Sequence, residues 1–101
     1  SVDPHAWNSL PNGMIYARNI AAGLAAARPE YADYFNARAN AYQAQMNVLH
    51  EEATTAIAAL PATQKTVVTV HDAFGYLEAT YGLRFLAPVG IDTEAEPSAK
   101  D

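Results

Sequence analysis

The sequence predicts a helix-dominated α/β chain with three main helices and one pair of parallel strands. Three observations carry that expectation. Apolar residues between Phe35 and Leu60 recur at alternating steps of four and three, the spacing that keeps them on one helix face. The segment before them is rich in alanine, the best helix former. Thr66 to Val70 is an unbroken β-branched run that leads into an amphipathic helix and then a second strand-like stretch, the plan of one βαβ unit.

The elements follow in order. After an extended lead, "SVDPHAW", Asn8 and Ser9 offer an N-cap, and Pro11 falls in the first turn, where a missing N–H is tolerated. The helix should run to the break at Arg28–Pro29, with Tyr16, Ile20, Leu24 and Ala27 as its apolar stripe. Alanines at 21, 22, 25, 26 and 27 allow a neighbour to pack closely. From Pro29 to Leu60, Phe35, Ala39, Tyr42, Met46, Leu49, Ala53, Ala56 and Leu60 read as a sustained a/d seam on a single long helix. At 1.5 Å per residue such a rod spans roughly 45 Å, more than the width of a small domain, as in a coiled-coil arm or a strut between two lobes. Phe35, Tyr42 and Met46 are expected in the core. Pro61 ends the rod, and a polar connector leads to a buried strand over Thr66–Val70. A helix from Ala73 to Tyr81 follows, with Phe74, Leu77 and Tyr81 on one face. Gly82 has the place of a C′ glycine, and "LRFLAPVGI" supplies the second strand. Three sections result: 1–28, 29–60 and 61–101.

Composition removes several function classes. Six Lys and Arg against eleven Asp and Glu give a formal net charge of −5, and the basic residues are scattered, so no basic stripe exists to neutralise nucleic-acid phosphates. With no cysteine there is neither a disulfide framework nor a thiolate metal site. The apolar stretch "MIYARNIAAGLAAA" is interrupted by Arg18 and too short to span a bilayer, and the start lacks the plan of a signal peptide. Beginning at Ser1, the chain is expected to be a processed or excised piece. No nucleophile–base pair, carboxylate dyad or glycine-rich phosphate loop points to an enzyme.

Two segments end in histidine, "DPH" at His5 and "VHD" at His71. In parallel α/β sheets ligands bind beyond the carboxyl ends of the strands. Imidazole is the commonest metal ligand, and a neighbouring carboxylate can orient the ring through its second nitrogen. Neither tripeptide is specific alone, and their separation is no local motif, so ordinary capping or part-buried histidines remain the plainer reading of the residues by themselves.

"DPHAW" before a helix, then "VTVHDAFGYLEATYGL", then "GIDTEAEPSAK" together resemble the metal-specific solute-binding proteins of ABC importers, the zinc and manganese receptors of the bacterial extracytoplasmic space. The resemblance covers nearly the whole chain in the right order. It implies two α/β lobes joined by a long rigid helix, with the metal in the cleft between them. The chain would then be the middle of such a receptor: residues 1–28 end the first lobe, 29–60 form the connecting helix, and 61–101 begin the second lobe. The resemblance implies His5 as a ligand from the first lobe and His71 as one from the second. Further family ligands, one earlier in the first lobe and often an Asp late in the second, have no counterpart here. Manganese-type relatives often carry glutamate at the position of His71, whereas imidazole suits tetrahedral zinc. Zn2+ is therefore favoured over Mn2+, with an ABC transporter membrane permease as partner and a periplasmic or extracytoplasmic, membrane-associated location.

Other residues read more plainly. His50, beside Glu51 and Glu52, is expected on a solvated helix face; Trp7 and Tyr76 are expected to pack lobe surfaces. Asp3 and Asp72 are equally good as partners of the histidines or as caps, and Glu94 and Glu96 look like solvated loop charges. The competing reading is a helical structural module whose long seam pairs with a second copy, the histidines being incidental. Under either reading the isolated chain, with uncovered edges and seam, is expected to form a homo-dimer.

Overall fold

Helix α1 (Leu10–Ala27) begins where Ser9 turns extended and its Oγ accepts the backbone N–H of Asn12, with Pro11 in the first turn. The computed structural model describes residues 2–90; the acidic tail, with Glu94, Glu96 and the "EPS" element, lies outside them. α1 closes at Arg28, whose N–H still reaches the Leu24 carbonyl before Pro29 stops the ladder. A single 3-10 turn (Pro29–Tyr31) reverses the chain into α2 (Ala32–Ala58). The expected rod over 29–60 is thus a turn plus a 27-residue helix, about 40 Å long.

The faces that meet differ from those expected. On α1, Tyr16, Ile20 and Leu24 are exposed, Ile20 by 62 %, and the inner stripe is Gly13, Ala17, Ala21 and Ala25. These side chains are small enough for the backbones to approach: a Cβ added at Gly13 would lie 3.3 Å from Met46 Sδ. On α2 the inward stripe is Phe35, Ala39, Gln43, Met46, His50, Ala53 and Ile57. Tyr42 and Leu49 are more than half exposed, so Tyr42 is not core. The heptad seam drifts because a straight helix repeats nearer 3.6 than 3.5 residues. Two of the inward positions are also polar. The Gln43 amide donates to the Met14 carbonyl at 2.8 Å, and His50 meets the Tyr81 hydroxyl at 2.9 Å, which supplies the partners that burial demands. His50 is therefore a packed residue and not part of a solvated face.

Beyond Pro61 the chain forms β1 (Thr66–Val68), α3 (Gly75–Tyr81) and β2 (Arg84–Leu86), with β1 and β2 parallel and Val67 opposite Phe85. α3 starts two residues later than expected. It ends at Gly82, whose φ of +75° is a left-handed cap that glycine adopts without strain. The carboxylate of Glu78 accepts the backbone N–H of Phe85, and Phe74 stacks on Phe85 at 4.7 Å, so α3 is fastened to β2 through its N-cap residue and its middle. Both strands are shorter than expected. Pairing lapses after the Thr69 N–H to Leu86 carbonyl bond and resumes as an isolated parallel bridge between His71 and Val89, with Pro88 unable to donate in between. The expected burial of β1 is not found: all three of its residues are exposed, Val68 by 78 %. Parallel sheets are normally covered on both faces by helices, and among the described residues the helix packed on the pair is α3.

Candidate metal centre

His5 and His71, 66 positions apart in sequence, are brought together with ring centroids 5.5 Å apart and planes inclined at 62°. His5 enters from the lead just before the 3-10 turn Ala6–Asn8, and His71 from the bridge at the carboxyl end of β1. Neighbouring bonds fix each backbone. The Asp72 N–H donates to the Val89 carbonyl at 2.7 Å, which holds the His71 loop. The Asn8 N–H donates to the His5 carbonyl, and the Asn12 amide to the Ala6 carbonyl at 3.0 Å.

Asp3 sets the chemistry of His5. One carboxylate oxygen, Oδ1, accepts both the His5 backbone N–H at 3.0 Å and the ring Nδ1–H at 2.7 Å. An ionised carboxylate only accepts, so Nδ1 must carry the proton, and the lone pair of neutral His5 is left on Nε2. These bonds, the backbone N–H first and the ring second, hold the Asp3 carboxyl below the usual carboxylate range. Asp3 is thus the orienting partner of His5. Asp72 is exposed, and its structural bond is through its backbone.

Two imidazoles sharing a tetrahedral zinc at about 2.0–2.1 Å per Zn–N bond would have centroids about 5 Å apart. The observed separation fits that, and it also fits an edge-to-face ring contact. The tautomer imposed by Asp3 is the one that carboxylate–histidine–metal sites use. Among the described residues no group of three or more His, Asp or Glu side chains is placed to hold an ion; the cluster consists of two imidazoles and the carboxylate that holds one of them. Asp3 was legible as an option from "DPH". Asn8, which donates its side-chain amide to the Ala73 carbonyl at 3.1 Å, read as a cap, although Ser9 fills that place. Trp7 is 60 % exposed beside α2, and Tyr76 lies on the outer side of α3.

Residues 1–101 match the family described as zinc-uptake complex component A, periplasmic. Among relatives, the manganese ABC transporter substrate-binding lipoprotein PsaA of Streptococcus pneumoniae is 39% identical over 94 residues, covering 93% of this chain and 30% of that protein. The zinc-binding protein AdcA of Streptococcus pyogenes is 40% identical over 98 residues, covering 97% of this chain and 19% of that protein. Among solved structures, the periplasmic zinc-binding protein TroA of Treponema pallidum superposes with a TM-score of 0.91 at 32% identity, over 97% of this chain and 35% of that one. The laminin-binding protein Lmb of Streptococcus agalactiae, described as having adhesin and metal-transporting activity, gives 0.90 at 36% identity, over 97% and 37% of the two chains. The chain therefore spans about a third or less of the length of these relatives.

Proposed function

The chain belongs to the periplasmic zinc-uptake complex component A family, and from that premise we propose that it is the central section of an extracytoplasmic receptor that captures a divalent transition metal and delivers it to an ABC permease. Members of this family are transport components and not enzymes. On this reading residues 1–28 close the first lobe, α2 is the strut, and residues 61–101 open the second lobe. The relatives named as lipoproteins or periplasmic proteins support a location outside the cytoplasm. No helix among the described residues is long and apolar enough to cross a membrane.

The observation that carries the proposal is the His5–His71 pair at 5.5 Å with Asp3 fixing one tautomer. The cargo is bound through Nε2 of His5 and a ring nitrogen of His71, and the remaining ligands come from parts of the receptor outside these residues. Zinc is the favoured cargo. The zinc-named and manganese-named relatives are equally similar, at 40% and 39% identity, so likeness does not choose between them. Two borderline-soft imidazoles suit tetrahedral zinc better than manganese, which prefers oxygen donors. Because almost any N/O site binds Zn2+ more tightly than Mn2+ in vitro, the metal that copurifies with the complete receptor from cells grown with both at equal supply tests the choice: predominantly zinc supports it, and predominantly manganese refutes it.

A further inference from the structure

We propose that Asn8 is a positioning residue that latches the two ligand-bearing segments together and sets the distance between His5 and His71. The proposal rests on the metal-receptor reading above. Asn8 lies three residues after His5 and Ala73 two residues after His71, and the Asn8 Nδ2–H to Ala73 carbonyl bond of 3.1 Å joins positions 65 apart in sequence. It is a direct side-chain hydrogen bond from the His5 segment to the His71 segment.

Both ends of this bond are anchored, so its length is transmitted to the rings. On the His5 side the 3-10 turn is closed by the Asn8 N–H on the His5 carbonyl at 3.2 Å and stapled to α1 by the Asn12 amide on the Ala6 carbonyl. Ser9, next in the chain, is buried at 3 % exposure and starts α1. On the His71 side Ala73 is buried at 5 % exposure, between the Asp72 bond to Val89 and the Phe74 stack on Phe85. A buried carbonyl that loses its donor is costly, so the latch has one favoured closed geometry. The carboxamide is also the only part of Asn8 that can fill this role. A carbonyl needs a donor, which neither leucine nor aspartate offers at that place.

Asn8 touches no cargo on this proposal. It acts through the spacing of the ligands, and misplacing an outer-shell contact costs metal sites roughly 10–100-fold in affinity.

The test uses the complete receptor with Asn8→Leu, Asn8→Asp and Asn8→Gln, with His5→Ala as control. Zn2+ release into a chelator is followed by stopped flow, the visible absorption of the Co2+-loaded protein reports coordination geometry, and the melting temperature is measured without metal. The expected result is release roughly 10–100-fold faster in Asn8→Leu and Asn8→Asp, with a shifted Co2+ spectrum, a metal-free melting temperature lowered by only about 2–4 °C, and substantial recovery in Asn8→Gln, which keeps the donor. Parental release rates and spectra overturn the latch. Faster release that follows a loss of metal-free stability, without recovery in Asn8→Gln, overturns it as well, since Asn8 would then be merely structural. Should the first two variants not fold, Asn8→Ser, which suits the turn but is too short to reach Ala73, decides by the same readings. If His5→Ala binds Zn2+ as the parent does, the ligand assignment itself falls; if His5→Ala loses binding while the Asn8 variants release normally, only the latch does.

Discussion

The Tyr81 hydroxyl and His50 Nδ1 meet at 2.9 Å, with their rings 5.4 Å apart, and tie the end of α3 to the middle of α2. Tyr81 is buried at 9 % exposure. Through this contact the helix that follows His71 rests on the long helix. Replacing Tyr81 by Phe keeps the packing and removes the bond, so an expected loss of about 1 kcal/mol should appear in denaturant unfolding, with zinc affinity unchanged.

His5→Ala and His71→Ala each remove a ligand. In the complete receptor each should weaken zinc by more than about a hundredfold, beyond the usual range for outer-shell changes, as read by chelator competition. Parental affinity in both would falsify the ligand assignment.

Asp3→Ala frees the His5 ring to turn and to take the other tautomer, and zinc should bind roughly 10–100-fold more weakly. Asp3→Asn keeps one accepting oxygen and should lose less. The pH dependence has a definite sign. Because the Asp3 carboxyl is held below its usual value by the His5 N–H groups, its bonds contribute fully above the unfolded carboxylate value of about 3.9 and are lost as pH falls through the lower folded value. Carbon NMR of the Asp3 carboxyl should show a titration midpoint under about 3.9; a midpoint above it contradicts the bonding described.

Two glycines should respond differently. At Gly82, with φ +75° and open space where a Cβ would stand, Ala pays only the left-handed backbone cost of about 1–2 kcal/mol. At Gly13, facing Met46 Sδ at 3.3 Å, Leu must push the helices apart and should cost about 1–3 kcal/mol. Thermal unfolding of the complete receptor distinguishes both from a neutral change.

The isolated chain should self-associate. Ile20, Val68 and Val70 are between 62 % and 78 % exposed, and among the described residues the two-stranded sheet has open edges, surfaces that proteins usually cover by pairing. Sedimentation equilibrium at micromolar concentration is expected to give a dimer; a single species of 10.8 kDa would count against it.

Element type and order were legible because their signals are local: Ser9 and Pro11 for the start of α1, Pro29 and Pro61 for the breaks, Gly82 for the end of α3. Which face turns inward was not. Apolarity pointed to Ile20, Leu24 and Tyr42, whereas the helices meet through Gly13, Ala17 and Ala21 and through hydrogen-bonded Gln43 and His50. A packing face chosen by size and by hydrogen bonding leaves little trace in a hydrophobic pattern. The site followed the same division. His5 and His71 stood out by residue type and resemblance, and Asp3 by adjacency. The Asn8 bond depends on Ala73, whose carbonyl every residue type possesses, so no side-chain motif announces it.

The alanine seam between α1 and α2 has one more consequence, for motion. Gly and Ala have no rotamers to freeze or exchange, so along Gly13, Ala17 and Ala21 the α1 side of the joint has no alternative packing into which it can click. Shear between packed helices needs a second arrangement of their interface, and the α1 side offers none, so α1 and α2 are expected to move as a single lever. A lever about 40 Å long turns a few degrees of tilt at one end into several ångströms at the other. Any opening that separates His5 from His71 must therefore be absorbed where the lever ends and must break the Asn8–Ala73 bond, and amide exchange should be faster in the connector at 59–65 than along the seam.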